Sequence, residues 1–182
     1  MIGPGSSLDV AFAYVSLTAE ADHLFFPRSM ILTAALVKEL DIGVGEEVMI
    51  TGLFAHHVGN TRNVPIVRVG NLAAYPSEPV QTMAFGTMNA YLIEARSIGG
   101  LSGSPVFVHP GTVRILQGQP QFTSESAFYL MGLIHGHYDQ KVGEFAGNAR
   151  IESVNSGIAL VVPIEDILNF IDSHKGQNKA AG

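Results

Sequence analysis

Short β-rich apolar runs recur along this chain at intervals of roughly 10 to 15 residues, with Gly, Pro or Asn between them. This rhythm limits the fold more than any other feature. Segments spaced this way leave room for tight turns but not for the crossover helices of a parallel sheet, so the chain is predicted to be all-β, an antiparallel barrel or sandwich. The runs cover residues 8–17, 46–54, 65–75, 90–95, 105–108, 112–116, 128–135 and 157–162. Between 29 and 40, apolar residues at helical spacing (Ile31, Ala34, Ala35, Leu36, Leu40) suggest a short helix or a covering loop, with Ser29 as the N-cap candidate. A clearer helix follows Pro163. Ile164, Ile167, Leu168 and Ile171 line one face, and Glu165 and Asp166 stand in the first turn, where carboxylates complement the helix dipole. The polar tail 175–182 is expected to be disordered.

Composition removes several function classes. Of the 182 residues, 47% are apolar and 14% charged, which excludes a disordered chain and provides a sizeable core. Ten Lys and Arg stand against 16 Asp and Glu, and no basic stripe is visible, so nucleic acid is not an expected partner. Cysteine is absent, which excludes disulfides, thiolate metal sites and a cysteine nucleophile. No apolar run reaches the ~18 residues of a membrane span. The opening Met1–Ser7 is too short and polar for a signal peptide. A cytoplasmic setting is favoured for the chain as given, and a bacterial exported protein without disulfides also fits.

The segment with chemical promise is Gly99-Gly-Leu-Ser-Gly-Ser-Pro-Val-Phe-Val108. A serine becomes a nucleophile only with a sharp turn, a base and donors for the developing oxyanion. Gly100 frees a backbone N–H to turn toward that oxygen, the Ser102 N–H is a second donor, and Gly103 leaves room for substrate. A bare Gly-x-Ser-Gly is more often an ordinary turn. Two other serine-hydrolase settings fail locally. The α/β-hydrolase elbow and the subtilisin order (Asp9, then His56 or His57, then Ser102) both place the serine at a helix start, whereas Pro105 here leads into Val-Phe-Val, a strand.

Gly100-Leu-Ser-Gly-Ser-Pro-Val-Phe107 resembles the Gly-Asp/Asn-Ser-Gly-Gly/Ser-Pro-Val motif of the trypsin-like (chymotrypsin-fold) serine peptidases, particularly the bacterial glutamyl-endopeptidase branch. Leu101 departs from the usual Asp or Asn. Leu130-Met-Gly-Leu-Ile-His-Gly-His137 is similar to the family's strand beside the specificity pocket, and Asn155-Ser-Gly-Ile-Ala-Leu-Val-Val-Pro163 to its closing strand, with the C-terminal helix after it. Leu8-Asp-Val-Ala11 resembles the segment whose aspartate orients the catalytic histidine.

The resemblance implies two antiparallel β-barrels of chymotrypsin-like type with a C-terminal helix. Residues 1–80 would be a remnant of the first barrel plus the linker, and 81–174 the second barrel. It implies a serine endopeptidase acting on a peptide or protein substrate, with Ser102 as nucleophile, Asp9 as orienting acid and the Gly100 and Ser102 amides as oxyanion hole. The family order is histidine, aspartate, serine. No histidine precedes Asp9, so the base is expected upstream of Met1 and the isolated chain to be nearly inactive. Exposed apolar surface is expected in residues 1–80. The alternative is a non-catalytic, peptidase-like domain that binds peptides or proteins. His135 and Arg96 would meet an acidic substrate side chain in the pocket, although a hydrogen-bonded His135 and a solvent-facing Arg96 fit as well. His135, His137 and Asp139 invite a zinc reading, but a third ligand at defined spacing is missing, so no metal or cofactor is expected.

Overall fold

The computed structural model describes residues 9–53, 60, 64–75, 77–82, 86–95, 100–122, 128–142 and 152–174. Six strands close into an antiparallel barrel: β1 (Glu47–Leu53), β2 (Pro65–Ala74), β5 (Tyr91–Glu94), β6 (Pro105–His109), β9 (Tyr129–Val142) and β10 (Glu152–Pro163). Around the barrel the order is β1-β2-β5-β10-β9-β6. Counted along the chain, the wall strands therefore run first, second, third, sixth, fifth, fourth. Two small hairpins, β3–β4 (Val80–Thr82, Gly86–Met88) and β7–β8 (Val113–Leu116, Gln119–Phe122), stand outside it. One helical turn (Arg28–Met30), a short α1 (Ala34–Glu39) and α2 (Ile164–His174) complete the described elements.

The all-β expectation holds with the C-terminal helix. The expected division at residue 80 does not follow the barrel. β1 and β2 precede that residue, and they close the same wall as β5, β6, β9 and β10. The reason is pairing: β1 bonds to both β2 and β6, with Val48 opposite Gly70 and also opposite Val108.

Alternation fills the interior. Val48, Ile50, Leu72, Ile93, Val106, Val108, Met131, Ile134, Ala159 and Val161 point into one buried cluster. Leu160 and Val162 point the other way, into a second cluster with Ile164 and Ile167 of α2. Both faces of β10 are thus covered, which explains why Ile158–Val162 reads as an unbroken apolar run rather than an alternation. Each such side chain contributes roughly 1.5–3 kcal/mol of burial. The Glu165 carboxylate accepts a bond from the Ala34 amide at 2.9 Å, and Asn89 donates to Asp166 at 2.8 Å, so the predicted acids of α2 also pin its start to the rest of the fold. Thr33, not Ser29, caps α1, accepting from the Leu36 amide at 3.2 Å.

The run at 8–17 is corrected. Residues 9–17 form no strand. Val10 packs on the outer cluster and Phe12 meets Phe170 edge-on at 5.8 Å, while Tyr14, Val15, Leu24 and Phe25 are exposed. The segment rejoins the barrel where Phe26 approaches Phe107 and where the Leu32 amide bonds to the Leu130 carbonyl at 2.9 Å.

Candidate functional site

The turn from Gly100 to Ser104 connects toward β6 and is built by three backbone bonds. Ser104 N–H donates to the Leu101 carbonyl at 2.9 Å and closes the turn. Gly103 N–H donates to the Ile134 carbonyl at 2.7 Å, and Ile134 N–H donates to the Ser104 carbonyl at 2.9 Å, which fastens the turn to β9. Gly100 and Gly103 have φ of +99° and +83°, where side chains are strained; a Cβ at either would meet no heavy atom within 4 Å, so conformation alone demands glycine. Leu101 turns inward and is buried in the barrel core. The turn is thus anchored by apolar burial. Ser102, the next residue, is exposed. Gly52 of β1 makes room for this arrangement, since a Cβ there would lie 2.5 Å from Ser104 Oγ and 2.8 Å from Leu101 Cδ2.

β9 carries His135 past this turn. The ladder to β10 pairs Ile134 with Val161 and Gly136 with Leu160, so His135 is an extra residue, a β-bulge. Bulges bend a strand and re-aim a side chain. The His135 side chain is 5% exposed, and its Nε2 lies 3.8 Å from Oδ2 of Asp9, which is 85% exposed. Asp9 and the Ser102 turn, distant in sequence, therefore meet the same short stretch of β9, residues 134 and 135.

Comparisons with protein-family models, with curated proteins and with solved structures found no match.

Of the residues singled out by sequence, Ser102, Asp9, Gly100 and His135 are thus placed, and Arg96, His56 and His57 lie outside the described residues. His135 faces Asp9, a partner that its pocket assignment did not anticipate. His23 bonds through Nδ1 to the Ala21 carbonyl at 2.8 Å and meets Phe25 edge-on at 4.9 Å. His109 meets Glu47 at 3.2 Å. Among the described residues no histidine hydrogen-bonds the Ser102 hydroxyl, and no group of three His, Cys, Asp or Glu could hold a metal ion. The Ile134 backbone, which ties the turn to β9, carried no sequence signal beyond its place in an apolar strand.

Proposed function

We propose that this chain is a serine-peptidase-like domain of trypsin type, with Ser102 as the acyl-forming nucleophile. In this reading the closed barrel and α2 correspond to the second barrel of a chymotrypsin-like pair, and residues 9–31 belong to the first. Asp9 orients the base and the Gly100 and Ser102 amides receive the oxyanion, while none of the described histidines hydrogen-bonds the Ser102 hydroxyl. The observation that carries the reading is the exposed Ser102 on a two-glycine turn, fastened by two backbone bonds to the strand whose next residue meets Asp9. The wall order, with the last two strands inserted in reverse between the third and fourth, supports it.

Without its base a serine hydroxyl stays protonated, and loss of a triad member costs orders of magnitude in rate. Free imidazole can stand in for the base. A fluorophosphonate probe should label the chain slowly, faster with added imidazole, and not at all in S102A. A second reading, a non-catalytic peptide-binding domain, is favoured by Leu101 in place of a polar residue. Absence of labelling at every imidazole concentration would select it.

A further inference from the structure

The hairpin β7–β8 is turned inside out. Its ladder places the pairs Val113–Phe122 and Ile115–Pro120 on one face, and Arg114–Gln121 and Leu116–Gln119 on the other. The Arg114 face is the one turned to the body of the protein. Arg114 donates to the Pro110 carbonyl at 2.8 Å, and to the Asp41 carbonyl and the Glu46 carboxylate at 2.5 Å each. The face turned to solvent is therefore the apolar one. Val113 is 51%, Ile115 65% and Phe122 92% exposed, and Pro120 is exposed as well. An antiparallel ribbon normally covers its apolar face and wets its polar one. A slip of one residue would exchange the two faces, so the Arg114 bonds hold the apolar side outward.

We propose that this face is a self-association surface, occupied by the same face of a second copy of the chain. It carries no charged side chain, so two copies bring no like charges together there. It is also self-complementary. A two-fold axis running across the strands, between the stacked faces, sets Phe122 of one copy over Pro120 of the second copy, and Val113 over Ile115. Large side chains then meet smaller ones, and two hairpins gain an apolar layer that neither has alone. The four side chains offer on the order of 450 Å² per copy, about 900 Å² in the pair, which belongs with weak, reversible contacts. An anionic headgroup finds no cation on this face, because Arg114 is engaged on the opposite one. The association does not depend on the chemistry of Ser102.

Sedimentation velocity of the full chain tests it. From about 5 to 500 μM the chain should show a rapid monomer–dimer equilibrium, with a dissociation constant on the order of 100 μM. Phe122→Ser should weaken it at least tenfold. Ile115→Thr, which keeps the strand preference, should weaken it as well. Leu24→Ser, at a side chain 98% exposed on the N-terminal segment, should leave it unchanged. Added salt should tighten the dimer, because each chain carries a net charge of −6 that opposes approach. All three side chains are exposed, so thermal melts should match the wild type; if Phe122→Ser melts early, Ile115→Thr decides. A chain that stays monomeric throughout would overturn the proposal, and flotation of that monomer with phosphatidylcholine vesicles would assign the face to a bilayer instead. A dimer that survives both hairpin variants, that is lost in Leu24→Ser, or that dissociates as salt is added would also overturn it.

Discussion

Replacing Leu101 tests whether the Ser102 turn is anchored as described. Its side chain is 4% exposed and packs in the barrel cluster with Ile50, Val106 and Ile134. Truncating a core leucine to alanine costs about 2–5 kcal/mol, the transfer loss plus a residual cavity. Leu101→Asp, which would restore the acid usual in the resembled family, loses the same burial. It also buries a carboxylate, which adds several kcal/mol unless the group keeps its proton. The sum of roughly 5 kcal/mol or more matches the entire stability of an ordinary domain, about 5–15 kcal/mol. The chain has no tryptophan, so far-UV circular dichroism in urea is the suitable assay. With a urea slope of about 2 kcal/mol per molar, Leu101→Ala should move the midpoint down by about 1–2.5 M. Leu101→Asp should abolish the cooperative transition. If Leu101→Asp unfolds at the wild-type urea concentration, the turn is not held by an inward residue 101 and the account of Ser102 presentation fails.

Two further outcomes follow from the barrel. A Cβ on Gly132 would lie 2.1 Å from the Val162 carbonyl oxygen and 2.7 Å from Val161 Cγ1, so Gly132→Ala forces backbone apart and should cost more than about 3 kcal/mol; a near-neutral melt would refute the β9–β10 packing. Tyr91 is raised above the usual tyrosine range chiefly by burial, then by its hydrogen bond with Tyr75 and the nearby negative charges. The folded chain therefore keeps this proton after the unfolded chain begins to lose it near pH ~10, so the stabilisation is intact below that pH and declines above it by at most about 1.4 kcal/mol per pH unit. Urea midpoints measured from neutral to alkaline pH should fall less steeply above pH ~10 in Tyr91→Phe than in wild type, and identical profiles would refute the assignment.

Much of the barrel was legible because burial writes itself as periodicity. Residues 157–162 announced a strand, and Ile164, Ile167, Leu168 and Ile171 announced the stripe of α2. Other parts left no local mark. Residues 8–17 have the composition of a buried strand, but a strand also needs a partner, and residues 9–17 have none in the described fold. Gln119–Phe122 forms the second arm of a hairpin although it is exposed throughout, so no alternation of buried positions betrayed it. The division at residue 80 failed because closure depends on which strands pair across long separations, and Val48 with Val108 is such a pair. At the site, Ser102 and Asp9 were read from motif resemblance, and Leu101 looked like a defect until its burial made it the anchor. The direction of the His135 ring was unreadable because a single extra residue in a ladder decides where that ring points.

The most direct trial of the whole account is a crystal structure of the chain after reaction with a fluorophosphonate in imidazole buffer. The account predicts phosphorus bonded to Oγ of Ser102, its free oxygen within about 3 Å of the Gly100 and Ser102 amides, and Asp9 still beside His135. Density for the adduct on another residue, or an adduct at Ser102 whose oxygen faces neither amide, would contradict it.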